Sequence, residues 1–188
     1  SKLYRTFCRS VLKTLTRISP QLSRRFYQSH EIERMGAAFF PPLSSQKRIW
    51  FHAASAGELE SLVSVIEQAA QSGFELIVTI MSPSAEKALA GLAERLRKNA
   101  TRLIYIGYSP LEGGWEQALV ILKPHVFVTA KYEAWPDLWM SLSVHQTPLV
   151  IVGAQPRSSL KWAKRICGFS GVSRSEEHTS ELQSLTNL

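Results

Sequence analysis

The sequence predicts an α/β fold in which a doubly wound parallel sheet is preceded by a basic amphipathic helix. Three observations lead to this prediction. From residue 49 onward, short apolar runs alternate with segments of helical periodicity. The first of these runs passes through small residues directly into a helical pattern, which is the strand–turn–helix arrangement of such sheets. The 188-residue chain is 45% hydrophobic and 20% charged, a balance typical of a folded domain with a full core.

Strands and helices alternate through the predicted domain. Runs rich in β-branched, aliphatic and aromatic residues predict strands at 49–53, 75–80, 103–106, 125–129 and 148–153. Apolar residues at helical spacing predict helices at 57–72, 84–98, 113–121 and 136–143, and the start of another at 159–167. Because strands separated by helices are joined by right-handed crossovers, we expect the strands to run parallel.

The basic character of the chain is concentrated at its N-terminus. The net charge is +7, and residues 1–48 hold ten lysines and arginines against two glutamates. Residues 2–18 have an amphipathic helix pattern, with aromatic and aliphatic residues on one side and Lys and Arg on the other. This pattern predicts that residues 1–20 lie on an anionic membrane surface; the alternative is a helix packed on the domain with a solvated basic face. No recognition motif in the sequence supports a nucleic-acid partner.

The rest of the chain divides into three parts. Residues 21–48 are predicted to form a mostly extended linker with a short helix, and residues 49–173 an α/β domain. Residues 174–184 resemble the in-frame translation of a sequencing-library adapter. We therefore interpret residues 174–188 as an artefactual tail and the domain as truncated.

A candidate site lies in the turn after the first predicted strand. Ser55 and Glu58 have the spacing of a capping box, in which each side chain binds backbone at the start of a helix. A carboxylate at that position is either a cap or a general base that takes a proton from a sugar hydroxyl, and both roles stay open here. Gly57 lets a ligand approach the backbone closely, whereas His52 is interpreted as a packed strand-end residue.

A second carboxylate, Glu133, follows the predicted strand at 125–129. Since the carboxyl ends of parallel strands meet at one edge of a sheet, we expect Glu58 and Glu133 on the same edge, as in an acid/base site. Trp135 is interpreted as a core residue, and the hydroxyl residues at 79–84 as helix caps. The sequence has no glycine-rich phosphate loop and no metal-ligand spacing, so it predicts no cofactor and no metal.

Two motifs resemble those of the 3-deoxy-D-manno-octulosonic acid (Kdo) transferases. Residues 52–58, His-Ala-Ala-Ser-Ala-Gly-Glu, are similar to the family's His-Ala-x-Ser-x-Gly-Glu. Residues 133–137, Glu-Ala-Trp-Pro-Asp, are similar to its Glu-Leu-Trp-Pro-Asn. The resemblance extends over roughly residues 30–165. It implies the Rossmann-like N-terminal half of a GT-B glycosyltransferase, which holds the acceptor, and a missing C-terminal domain that holds the donor.

The resemblance also implies a reaction. Kdo would pass from CMP-Kdo to a lipid A precursor in lipopolysaccharide core biosynthesis, with inversion and without a metal, at the cytoplasmic face of the inner membrane. By match to the motifs, Glu58 would be the general base and Glu133 a second carboxylate that assists the transition state. Ser55 and Gly57 would contact the acceptor. Without the donor domain, the chain by itself is expected to be inactive.

Some positions depart from the family pattern. The family's Asn-Ala-Arg after the last strand is Gly-Ala-Gln at 153–155, and its Thr-Pro-Thr-Gly-like turn is Met-Ser-Pro-Ser at 81–84. One alternative is a related glycosyltransferase with another lipid-linked acceptor. The other is a non-catalytic membrane-associated α/β binding module, in which both carboxylates are helix caps.

Overall fold

A computed structural model describes residues 2–99, 101–131, 135–153 and 172–174. The strands are β1 (Arg48–Ala53), β2 (Glu75–Ile80), β3 (Leu103–Tyr108), β4 (Val126–Ala130), β5 (Leu149–Val152) and β6 (Val172–Arg174). They form one sheet in the order β3-β2-β1-β4-β5-β6, and the paired strands are parallel. The predicted α/β class with a parallel sheet is confirmed.

Seven α-helices lie within the described residues. They are α1 (Lys2–Leu15), α2 (Pro20–Ser29), α3 (Glu31–Met35), α4 (Ala56–Gln71), α5 (Glu86–Lys98), α6 (Trp115–Leu122) and α7 (Pro136–Val144). Within the domain, the predicted strands and helices that fall in the described ranges are confirmed, with ends shifted by one or two residues. The sequence did not predict β6, because three residues of mixed polarity give no apolar run. The helix predicted at 159–167 lies outside the described residues.

The side chains of β1 alternate between two apolar layers, one on each face of the sheet. Phe51 belongs to the layer formed with α4 and α5. Trp50 belongs to the opposite layer, where its ring lies 5.7 Å from that of Trp115 and 5.2 Å from that of Phe127. Every residue of β1 is buried, as expected when helices cover both faces of a parallel sheet. The sheet is therefore doubly wound, as predicted.

Residues 21–48 do not form the mostly extended linker that the sequence predicts. Helices α2 and α3 and a short 3-10 helix occupy most of this segment. Pro20 is the first residue of α2, and Ser19 caps that helix by accepting a hydrogen bond from a backbone N–H of its first turn (3.5 Å). Ile32 and Phe40 are buried in the core. The prediction is wrong because this segment packs on the sheet, and that packing favours helix over extended chain.

Helix α1 packs on the domain with part of its predicted basic side turned inward. Arg5 forms ion pairs with Glu116 and Asp137, and Arg9 pairs with Glu33. The side chains that remain exposed include an apolar row along the helix, which we call the apolar row of α1: Leu3, Phe7, Val11 and Leu15. The alternative prediction, a helix packed on the domain with a solvated basic face, is confirmed for the packing and is wrong for Arg5 and Arg9, because acidic groups of the domain attract these two arginines.

A buried ion pair holds the amino-terminal edge of the sheet. Arg48 and Glu75 are the first residues of β1 and β2, both are about 1% exposed, and Nε of Arg48 donates a hydrogen bond to Oε2 of Glu75 (2.9 Å). The other nitrogens of Arg48 donate hydrogen bonds to the carbonyl oxygens of Leu122 (2.6 Å) and Pro41 (3.1 Å). A buried charge is tolerated when it is paired and fully hydrogen-bonded, as this one is.

We expect Glu75→Ala to lower the free energy of unfolding by about 3–5 kcal/mol, because it leaves the buried Arg48 without its counter-charge. Urea unfolding measures this change. The control is Glu67→Ala, which breaks the half-exposed pair of Glu67 with Arg95 and should cost less than about 1 kcal/mol. Equal costs for the two variants would contradict the structural role of the buried pair.

Candidate active site

The turn between β1 and α4 forms a reciprocal capping arrangement. Ser55 is the N-cap of α4, and its Oγ accepts a hydrogen bond from the Glu58 N–H (3.4 Å). In return, Oε2 of Glu58 accepts a hydrogen bond from the Ala54 N–H (2.7 Å). These bonds satisfy two backbone donors that the helix itself cannot pair. They also fix the Glu58 carboxylate at the carboxyl end of β1.

Glu58 is half-buried and keeps one oxygen available. Within the part of the chain that the structure describes, Oε1 has no hydrogen-bond partner. The neighbouring Gly57 is exposed, and a Cβ at its position would meet no atom within 4 Å. The space in front of the turn is therefore open. Glu58 is a cap through Oε2, and its other oxygen is free to meet a ligand.

A second turn lies beside the first and contacts it through the backbone. The N–H groups of Met81 and Ser82 donate hydrogen bonds to the carbonyl oxygens of Ala53 and Ala54, each 3.0 Å long. Oγ of Ser82 accepts a hydrogen bond from the Ser84 N–H (3.2 Å) and so caps the short 3-10 helix before α5, as predicted. Thr79, also predicted to be a cap, is instead buried within β2 and accepts a hydrogen bond from the Trp50 indole (2.8 Å). The two turns are therefore hydrogen-bonded to each other and lie side by side at the carboxyl edge of the sheet.

His52 is completely buried, as expected of a packed strand-end residue. Its Nδ1 lies 3.0 Å from Oγ1 of Thr79, and its ring packs edge-on against Trp115. Burial, with a smaller effect from the positive charge of Arg25, lowers the pKa of His52 to about 3. The imidazole is therefore neutral at physiological pH, which argues against a role for His52 as a general acid.

The sheet order places the Glu58 turn at a topological switch point. From β1 the chain adds β2 and β3 on one side, and it then crosses over to add β4 and β5 on the other. Ligands of open α/β sheets bind in the crevice outside the strand ends at such a point. Glu133 lies outside the described residues, three positions after the end of β4, so its predicted place beside Glu58 stays a prediction.

The roles predicted for Ser55 and Gly57 toward an acceptor also stay predictions, although both residues lie at the open turn. Trp135 is half-buried and packs against the core, as the sequence predicts.

Sequence reasoning missed the role of Asp137, the last residue of the second motif. Asp137 is fully buried, and its Oδ2 accepts hydrogen bonds from the N–H groups of Gly113 (3.0 Å) and Trp115 (3.1 Å) at the start of α6. Arg5 pairs with it from α1. In the sequence, an aspartate after a proline indicates only the start of its own helix. Nothing in the sequence indicates that the Asp137 side chain accepts a hydrogen bond from a backbone N–H 22 residues earlier.

The fold and the site together define a class of protein. A Rossmann-like parallel sheet flanked by helices, with a carboxylate fixed in the turn at its switch point, is consistent with the N-terminal half of a glycosyltransferase. Comparison with protein families gives the particular one. A family model described as 3-Deoxy-D-manno-octulosonic-acid transferase (kdotransferase) matches residues 21–175, and the chain belongs to this family. The match spans both motifs, α3 and all of α2 except its first residue. A comparison with curated protein sequences finds no match.

We expect His52 to make the fold less stable as the pH falls from about 6.5 toward 3. In that window the unfolded chain binds a proton at His52 and the folded chain does not, so the free energy of unfolding drops by up to about 1.4 kcal/mol per pH unit. Urea unfolding of the parent and of His52→Gln at pH 7, 6 and 5 measures this drop in the free energy of unfolding. The comparison is needed because burial raises the pKa of Glu112 to about 7, which acts in the opposite direction.

The loss in free energy of unfolding caused by His52→Gln should therefore become smaller as the pH is lowered. His145→Gln, at an exposed position, is the matched control and should leave the pH dependence as in the parent. A cost of His52→Gln that stays the same from pH 7 to pH 5 would show that His52 is not held neutral by burial.

Proposed function

We propose that the full-length protein transfers Kdo from CMP-Kdo to a lipid A precursor in lipopolysaccharide core biosynthesis, with inversion at the anomeric centre. Membership of the Kdo transferase family supports the transfer chemistry. The observation that carries the proposal is the Glu58 carboxylate, which the Ala54 N–H fixes through one oxygen while the other has no partner among the described residues. This free oxygen lies where α/β sheets bind their ligands.

In this mechanism Glu58 is the general base. Its Oε1 removes the proton of the acceptor hydroxyl while the hydroxyl oxygen attacks the anomeric carbon of Kdo. The bond between that carbon and a phosphate oxygen of CMP breaks, and CMP leaves with the bonding electrons. Attack from the face opposite the leaving group inverts the anomeric centre. The hydrogen bond from Ala54 keeps the carboxylate in one orientation, which lowers the entropic cost of the step.

Other residues complete the proposed site. Ser55 and Gly57 contact the acceptor at the open turn, and Glu133 assists the transition state from the loop after β4. The donor CMP-Kdo is held by a second, C-terminal domain, and the reaction uses no metal and no other cofactor. With the donor site in that second domain, the 188-residue chain alone is not expected to transfer Kdo.

We also propose that α1 binds the anionic cytoplasmic face of the inner membrane. Leu3 and Phe7 in the apolar row of α1 are 84% and 67% exposed. Lys2, Lys13 and Arg17 are also exposed. Such a surface favours insertion at the lipid–water boundary together with attraction to anionic lipid. No helix in the described ranges is long and apolar enough to cross a bilayer.

A second candidate function is a non-catalytic, membrane-associated binding module. The capping arrangement favours it, because the hydrogen bond to the Ala54 N–H gives Glu58 a structural task of its own. The two functions differ in what removal of the negative charge does, since a cap needs only a hydrogen-bond acceptor and a base needs the carboxylate.

We expect Glu58→Gln in the full-length protein to lower kcat at least about 100-fold, because the amide cannot accept the hydroxyl proton. The amide oxygen can still accept the Ala54 hydrogen bond, so the free energy of unfolding should change by less than about 0.5 kcal/mol. Transfer of Kdo from CMP-Kdo to a lipid A precursor is the assay, and urea unfolding gives the stability.

The matched control is Glu60→Gln, which removes the same charge from an exposed position on the same helix and should leave kcat unchanged. Activity of Glu58→Gln equal to that of Glu60→Gln would refute the base assignment and favour the binding module.

For the membrane proposal, we expect Phe7→Glu to weaken binding of the full-length protein to anionic lipid vesicles at least tenfold more than Thr6→Glu does. Both variants add one negative charge, but only Phe7→Glu removes apolar surface from the exposed row, worth about 2 kcal/mol or more on burial. Vesicle co-sedimentation measures the affinities. Equal losses would mean that charge alone, and not the apolar row, determines the binding.

A further inference from the structure

Arg25 of α2 is a buried cation at the carboxyl edge of the sheet. Only 8% of the residue is exposed. Its Nε donates a hydrogen bond to the carbonyl oxygen of Met81 (2.8 Å), and Nη2 donates to the carbonyl oxygen (2.9 Å) and Oγ (3.1 Å) of Ser109. The guanidinium carbon lies 4.8 Å from the centre of the Tyr108 ring. These contacts hold the guanidinium in one place, and every one of the groups that make them is neutral.

No carboxylate compensates this charge within the part of the chain that the structure describes. There, Nη1 of Arg25 is buried and has no hydrogen-bond partner. Glu86 accepts a hydrogen bond from the Tyr108 hydroxyl (2.6 Å), but it pairs with the exposed Arg24 instead. Burial lowers the pKa of Arg25 to about 10, so the guanidinium is still charged at neutral pH. Buried charges in proteins are normally paired, which leaves Arg25 in need of an anionic partner.

The position of Arg25 indicates that this partner is a ligand. Met81 and Ser109 are the first residues after β2 and β3, on the edge of the sheet where ligands bind. The N–H of Met81 donates a hydrogen bond to the carbonyl oxygen of Ala53 (3.0 Å), at the start of the turn that carries Glu58. Met81 is therefore hydrogen-bonded both to Arg25 and to the start of the Glu58 turn. Arg25 and the Glu58 turn lie at the same edge of the sheet.

We propose that Arg25 is a positioning residue that supplies the counter-charge for a phosphate group of the acceptor. The inference rests on the proposed function, in which the acceptor is a lipid A precursor, and it assigns a phosphate to that acceptor as the anionic group that Arg25 attracts. The charge of Arg25 acts from a poorly solvated position, where water screens it little. It draws the phosphate to the end of β2 and β3 and so brings the neighbouring hydroxyl toward Oε1 of Glu58. Arg25 takes no part in the proton transfer itself.

The kinetic test uses the full-length protein with the phosphorylated acceptor and with the same acceptor after dephosphorylation. Arg25→Gln is expected to raise KM for the phosphorylated acceptor about tenfold and to change KM for the dephosphorylated one by less than about twofold. A merely structural role would raise KM for both acceptors by the same factor. That result would overturn the proposal.

Two further variants keep the test independent of folding. Arg24→Gln makes the same change of charge at the adjacent, exposed position and is expected to leave both KM values within about twofold of the parent. Arg25→Lys keeps the charge with fewer donors and is expected to retain the preference for the phosphorylated acceptor. Loss of that preference in Arg25→Lys would overturn the role of the charge.

A binding measurement separates this inference from the transfer of Kdo. Inorganic phosphate is titrated into the full-length protein and followed by broadening of its ³¹P resonance. Broadening is expected with the parent and with Arg24→Gln and not with Arg25→Gln, whether or not the protein transfers Kdo. Equal broadening with all three overturns the proposal. Phosphate binding that depends on Arg25, without any effect of Arg25→Gln on the phosphorylated acceptor, would indicate a free-phosphate site and overturn the assignment to the acceptor.

Discussion

Strand β1 is hydrogen-bonded to β2 on one side and to β4 on the other, and its side chains are buried in both apolar layers. This double pairing fixes where the strand ends, because neighbouring parallel strands begin and end at the same edges. The turn after β1 therefore lies at the switch point of the sheet, flanked by the ends of both neighbours. The capping bonds of Glu58 then fix the carboxylate within that turn. The pairing of the central strand therefore determines where the site lies.

The buried arginines at the two edges of the sheet have different kinds of partner. At the amino-terminal edge, Arg48 has a carboxylate partner and carbonyl oxygens around it, which is what a purely structural cation requires. At the carboxyl edge, Arg25 has only neutral partners within the described residues. The structural ion pair of Arg48 and the charge of Arg25, for which we propose a ligand, are thus at opposite ends of the strands.

Helix α1 shows how packing redistributes an amphipathic pattern. The sequence places apolar residues on one side and basic residues on the other, but the domain presents Glu33, Glu116 and Asp137 to the helix. Two arginines turn inward to meet these carboxylates, and the apolar row of α1 remains exposed. Ion pairs therefore anchor the helix to the domain, and its apolar row stays exposed.

The sequence by itself determined the α/β class, the positions of the strands β1–β5 and of the helices α4–α7, and the cap at Ser55 and Glu58. Each of these depends on local spacing, since strand and helix periods and capping residues can be read within a few positions. The tertiary structure decided the helical state of residues 21–48, the inward turn of Arg5, the capping of α6 by Asp137 and the burial of Arg25. These features depend on contacts between residues far apart in the chain. An arginine or an aspartate in a helix gives the same sequence pattern whether its side chain is exposed or buried.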